Sequence, residues 1–137
     1  PRVYAVGECV QHRGIAYGLV EPLWGQAFVC ATQLAERGSI QYRGTQLATQ
    51  LKVSGVEVFS AGNLDSDESC EDLVIRDPKR GIYKRLILKN NHVQGAVLYG
   101  DARDGSWYSD LISEQTDISA IRNRLLFGRD FAMKQAS

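Results

Sequence analysis

Two eight-residue runs, Ile82–Lys89 and His92–Tyr99, are joined by only two residues, Asn90-Asn91. So short a connection between two β-type runs fits a tight antiparallel hairpin, and asparagine can supply the positive backbone angles that such a turn needs. The surrounding sequence extends the pattern. Leu51–Val53 and Val56–Phe59 are β-type stretches broken at Ser54-Gly55. An acidic loop from Asp65 to Asp72 precedes a short strand over Leu73–Arg76, and a turn through Asp77-Pro78-Lys79-Arg80-Gly81 leads into the first run of the pair.

After the pair the chain turns through Gly100-Asp101 and Asp104-Gly105 into a short helix around Ser106–Glu114. Ile118, Ile121, Leu125 and Leu126 mark one face of a last helix, with Asp117 as cap and Gly128 as stop. Trp107 and Tyr108 could mark a partner surface, and Leu125, Leu126 and Phe127 could contact a neighbouring domain, but all five are expected to pack locally. The N-terminal stretch reads differently. Val3–Val6 is expected to be a buried strand ending at Gly7, and a polar, glycine-containing stretch runs from Glu8 to Gly18. Pro22 then suits the first turn of a helix, where its missing N–H costs nothing. Leu23, Ala27, Cys30, Ala31 and Leu34 fall at helical spacing, Trp24 and Phe28 widen the apolar face, and Gly38 is the expected stop. The fold class is therefore α+β: a strand–loop–helix unit, then a small antiparallel-sheet domain with two short helices.

Composition sets limits on function. Sixteen basic residues balance sixteen acidic ones, which argues against a dominant nucleic-acid surface. Apolar runs are too short to span a membrane. Cys9, Cys30 and Cys70 are scattered and form no CxxC pair. They read as reduced, buried cytoplasmic thiols rather than a disulfide framework or a zinc site. Asp65, Asp67, Glu68, Glu71 and Asp72 lack the offsets of a calcium loop and read as a solvated turn. His12 and His92 belong to no ligand motif, and no metal site is expected.

The segment that carries chemistry is Val3-Tyr4-Ala5-Val6-Gly7-Glu8-Cys9. A strand delivers a carboxylate to a turn where glycine lets backbone approach a ligand. A carboxylate there can accept hydrogen bonds from sugar-like hydroxyls, and the N–H groups of a nearby helix start can stabilise electron-rich atoms.

This segment resembles the second FAD-contact motif of the pyridine nucleotide–disulfide oxidoreductases, apolar-Tyr/Phe-Ala-x-Gly-Asp/Glu. Tyr17-Gly18-Leu19-Val20-Glu21-Pro22 follows at the spacing found in large subunits of NAD(P)H-dependent nitrite reductases. The stretch from Leu51 to Gly62 is similar to the opening of those proteins' C-terminal domain, a type shared with NADH–rubredoxin reductases. Tyr83–Leu88 and Gly95–Ala102 are similar to its later hairpin.

The resemblance implies that Gly7 and Glu8 contact FAD, with Glu8 on a ribityl hydroxyl. It implies that Leu19, Val20, Glu21 and Leu23 meet the flavin through backbone N–H groups; Pro22 has none to offer. NAD(P)H is the implied cosubstrate. Iron–sulfur and sirohaem centres, where the parent has them, would lie downstream of Ser137, and the missing GxGxxG fingerprint upstream of Pro1. The implied division is 1–41 as the end of an FAD-binding domain, 42–128 as the C-terminal domain, and 129–137 as tail or linker. The implied partners are the other domains of the parent flavoprotein, with a homodimer left open. Taken alone, the chain is expected to be inactive and colourless. The alternative is a non-catalytic interaction or dimerisation module of a rubredoxin- or ferredoxin-type reductase.

Overall fold

The computed structural model describes residues 3–134. The chain forms two compact units that part between Leu47 and Ala48.

In the first unit, a two-residue hairpin pairs β1 (Gln11–His12) with β2 (Ile15–Ala16). It is followed by α1 (Val20–Leu34). Pro22 sits in the first turn and is buried. The helix ends four residues before the expected stop at Gly38. Glu36 adopts φ +53°, and the Arg37 N–H reaches back to the Thr32 carbonyl at 3.1 Å, so a left-handed residue closes the last turn. Trp24 and Phe28, expected on the buried face, are 72% and 68% exposed. Val3–Val6 is not a strand. No described segment pairs with it, and without a ladder an apolar run has no sheet to join. Cys9, expected to be buried, is exposed.

In the second unit, β3 (Ala48–Val53), β4 (Val56–Gly62), β5 (Glu71–Asp77), β6 (Ile82–Lys89) and β7 (His92–Tyr99) form one antiparallel sheet in the order β3-β4-β7-β6-β5. The expected small antiparallel α+β domain is what the chain builds. Both tight turns use left-handed backbone: Ser54 and Gly55 have φ +51° and +81°, Asn90 and Asn91 +51° and +59°.

Side chains alternate across a strand, so register decides which residues share a face. Ala48, Ala61, Ala96, Leu86 and Leu73 are cross-strand partners in one row spanning all five strands, and all belong to the core or pack against it. The next row on that face carries Phe59, Leu98 and Lys84. Over this face lie α2 (Gly105–Ser113) and the segment behind it. Trp107, Tyr108, Leu111 and Ile112 bury against the sheet, as do Ile118 and Leu125, and Leu126 packs half-buried beside them. Phe127, expected in the local core, is 62% exposed, and its ring meets that of Phe131.

Where a last α-helix was expected from Ile118, the chain forms a turn and then a 3-10 helix, Arg122–Phe127. The Ile118 N–H is taken by the Asn91 carbonyl at 2.9 Å, and the Ile121 and Arg124 amides bond three residues back. The Asp117 carboxylate accepts from the Ser119 N–H at 2.8 Å and so caps a turn. Gly128 ends the 3-10 segment, and a short helix, α3 (Arg129–Met133), follows with Ala132 buried. Among the described residues no helix is long and apolar enough to cross a membrane.

Candidate functional site

Gly7 adopts φ +108°, a backbone region that side chains other than glycine's rarely tolerate. A Cβ built on it would meet nothing within 4 Å, so the space over this backbone is open. The Gly7 carbonyl accepts from the Val10 N–H at 3.1 Å, closing a turn with Glu8 and Cys9 at its corner. Glu8 is exposed there, and among the described residues its carboxylate has no hydrogen-bond or ion-pair partner.

The turn is tied to α1 by one bond. Gln26, in the second turn of α1, accepts the Gly7 N–H through Oε1 at 2.9 Å. Gln26 is only 5% exposed, and among the described residues its buried Nε2 has no partner. Sequence reasoning passed over Gln26, although an amide four residues after Pro22, on the same face as the half-buried Cys30, was a visible signal.

Leu19 precedes the helix with extended backbone (φ −119°, ψ 150°) and makes no side-chain cap bond. The first-turn N–H groups therefore receive no capping oxygen from Leu19. Val20 is 65% exposed, Glu21 is exposed, and Leu19 and Leu23 are half-buried. The acidic Glu21 stands at the positive end of the helix dipole.

Behind the turn lies a cavity of about 170 Å³, lined by Tyr4, Val6, His12, Gln26, Cys30 and Tyr42 among others. Its edge is an aromatic cluster. The His12 ring meets Tyr42 edge-on at 5.0 Å, Tyr42 meets Tyr17 at 5.9 Å, and the buried Tyr17 hydroxyl accepts from the Thr45 N–H at 3.3 Å. These contacts hold the end of the first unit against its hairpin.

The residues fit the part of an FAD site that the resemblance assigns to them. A carboxylate without a partner among the described residues, an open glycine backbone and a helix start that Leu19 does not cap with its side chain suit a sugar-like chain and an electron-rich ring edge. Of the expected set, Gly7 is tied to α1 through Gln26, and Leu19, Val20, Glu21 and Leu23 stand at the start of that helix.

The second unit holds a different cluster. Lys84 points to the core face and is almost wholly buried. Its Nζ lies 3.0 Å from Asp101 Oδ2 and 3.9 Å from Asp104 Oδ2. Asp104 Oδ1 also accepts the Arg129 N–H at 3.1 Å. The Arg103 guanidinium donates to both Asp101 oxygens, and together with Lys84 it holds that carboxyl far below the usual range, against the opposing effect of burial. The Tyr108 hydroxyl donates to the Leu125 carbonyl at 2.8 Å, and burial, with the charges of Asp104 and Asp101, pushes its pKa up. Every charge here is matched inside the unit, so the cluster reads as a clamp between sheet, α2 and α3. In the acidic loop, Asp67 accepts from the Ser69 hydroxyl and N–H, which with Cys70 and Lys89 lower its carboxyl to about 2.

Residues 48–116, just over half of the chain, match the family described as the Rubredoxin NAD+ reductase C-terminal domain. The chain belongs to that family. Two curated relatives come from Bacillus subtilis (strain 168). The chain is 49% identical over 119 residues to the NAD(P)H nitrite reductase, covering 87% of this chain and 15% of the relative. It is 35% identical over 126 residues to the assimilatory nitrate reductase electron transfer subunit, covering 92% of this chain and 16% of the relative. The chain thus spans a small part of the length of these relatives. The solved NADH:rubredoxin oxidoreductase from Clostridium acetobutylicum superposes with a TM-score of 0.65 at 22% identity, over 86% of this chain and 30% of that one. That likeness concerns the fold.

Proposed function

We propose that this sequence is one part of a flavoprotein oxidoreductase that passes electrons from NAD(P)H through FAD to a downstream centre, with nitrite reduction as the reaction served. The observation that carries the reading is the Glu8 carboxylate, exposed and, among the described residues, without a partner, on a glycine turn tied to α1. The 49% identity to an NAD(P)H nitrite reductase supports it.

In this reading Glu8 accepts a hydrogen bond from a ribityl hydroxyl. The open backbone at Gly7 admits the ligand chain. The N–H groups at Leu19, Val20 and Glu21 face the pyrimidine edge, where the helix dipole favours electron density. Leu23 lines the edge with its side chain, because with Leu19 as cap its N–H belongs to the first helical bond. Bound flavin supplies the hydride and electron chemistry. This chain's residues bind and orient. Residues 1–41 then belong to the flavin domain, 42–128 to the C-terminal domain, and 129–137 to a tail or linker. Iron–sulfur and sirohaem centres belong to sequence downstream, the other domains of the flavoprotein are the partners, and the compartment is the cytoplasm.

Purified alone, the chain is expected to be colourless and inactive, because it carries one wall of a flavin pocket. A stoichiometric flavin absorption spectrum from the isolated chain would overturn that part. In a full-length flavoprotein carrying this sequence, Glu8→Ala is expected to weaken FAD binding tenfold or more, the worth of one hydrogen bond to a charged group. Unchanged affinity removes Glu8 from the site.

A further inference from the structure

Gln26 and Lys84 are the buried polar or charged residues of the described chain. Lys84 is fully engaged; Gln26 is not. Its Oε1 is committed to the Gly7 N–H, and because that group can only donate, the amide orientation is fixed. The Nε2 group is thereby left buried with no acceptor among the described residues. Methionine or leucine would occupy similar volume without stranding a donor, so the amide is a poor choice for packing alone. What it does achieve is specific. Among the described residues the Gly7 N–H belongs to no sheet ladder, and within the turn the left-handed Gly7 is held only by the Val10 N–H on its carbonyl and a weak Cys9 thiol contact to the Val6 carbonyl at 3.6 Å. Fixing that N–H pins the Val6–Gly7 peptide, while the Val10 N–H pins the Gly7–Glu8 peptide through the Gly7 carbonyl; the two bonds together set the Gly7 dihedrals and so the direction in which Glu8 leaves the turn.

We propose that Gln26 is a positioning residue. Its side-chain carbonyl anchors the Gly7 peptide to the second turn of α1 and so sets where the Glu8 carboxylate is presented. The inference rests on the flavin reading for Glu8 and adds to it a residue outside the motif that signalled the site. Gln26 acts through Glu8, which distinguishes it from a residue that merely stabilises α1.

Two measurements test this. In the isolated chain, hydrogen exchange of the Gly7 amide is compared among wild type, Gln26→Met and Gln26→Glu. Gln26→Met is expected to speed exchange at Gly7 tenfold or more while amides in the middle of α1 keep their protection. Gln26→Glu, which keeps an accepting oxygen, restores protection. If Gly7 exchanges at the wild-type rate in Gln26→Met, the anchoring role is overturned and the flavin reading stands untouched.

In a full-length flavoprotein carrying this sequence, FAD affinity of the apoprotein is read by flavin fluorescence for Glu8→Ala, Gln26→Met and the double variant. Each single change is expected to weaken binding about tenfold, and the double variant no more than the weaker single, because both act through one contact. Full additivity would show that Gln26 acts independently of Glu8 and would overturn the proposal. Wild-type affinity in Glu8→Ala overturns the flavin reading, and the proposal with it. Gln26→Glu regaining most of the affinity supports anchoring over a general packing role.

Discussion

Replacing Lys84 with methionine keeps the volume of a long side chain on the core face but removes the cation between Asp101 and Asp104. The ammonium lies 3.0 Å and 3.9 Å from the two carboxylates, and its side chain is only 7% exposed. At an effective dielectric near 20, contacts at such distances are worth roughly 4–6 kcal/mol before desolvation is charged against them. Burying the ammonium offsets much of that gain, yet removing one partner strands the other, which typically costs about 3–5 kcal/mol. Asp101 keeps Arg103, and Asp104 keeps the Arg129 N–H. The expected loss therefore falls at or just below the low end, about 2–3 kcal/mol. The assay is urea unfolding at neutral pH, followed by fluorescence of the buried Trp107 in a Trp24→Phe background, so that only the second unit is read. Adding Asp104→Asn to Lys84→Met is expected to recover part of the loss by removing an uncompensated charge. A shift below about 0.5 kcal/mol for Lys84→Met, with an unchanged slope, would refute the argument, since it would mean the cluster is solvated like a surface pair.

The same cluster predicts a pH effect. The folded-state pKa of Asp101 is depressed, so its contribution is in place above the ordinary carboxylate range near pH 4 and is lost as pH falls through the lower folded value. Asp101→Asn is expected to be less stable at neutral pH and to lose less stability on acidification, as acid titration of the Trp107 signal would show. Tyr108→Phe removes the shorter of two hydrogen bonds to the Leu125 carbonyl, which keeps the Gly128 N–H at 3.3 Å; a loss of about 0.5–1.5 kcal/mol in the same unfolding assay is expected, and no loss would mean the remaining donor or a water makes up for the hydroxyl. Gly105→Ala places a methyl 2.6 Å from the Phe59 ring, and the expected overpacking cost of about 1–3 kcal/mol should be relieved by Phe59→Leu. Equal effects of Gly105→Ala in both backgrounds would rule out that contact as the cause.

The second unit was legible because its signals are local. A two-residue Asn90-Asn91 link between two runs admits one backbone solution, and the strand bounds it implied are those observed. The last helix was misread because Ile118, Ile121 and Leu125 stand at i, i+3 and i+7, the spacing of an α-helical face, while the backbone there takes a turn and a 3-10 helix. The choice fell to a tertiary bond, the Ile118 N–H to the Asn91 carbonyl, that no window of sequence contains. Val3–Val6 has the composition of a strand, but a strand also needs a neighbour. At the candidate site, a motif singled out Gly7 and Glu8, and the structure adds that they form a turn with a left-handed Gly7. Gln26 was not legible, because its role depends on a peptide nineteen residues earlier in the chain.

The strand order has a kinetic consequence. β3 with β4, and β5 with β6 and β7, pair with their immediate successors in the chain, so both pieces can assemble from local contacts. One seam, β4 against β7, joins residues such as Phe59 and Leu98 across an intervening stretch that contains two other strands. Closing that seam carries the loop entropy of the whole sheet, and it also creates the row on which α2 settles. The seam is therefore the rate-setting event. Phe59→Leu and Leu98→Ala should slow refolding, while changes at the β5 edge should chiefly hasten unfolding, a contrast that stopped-flow chevrons would display.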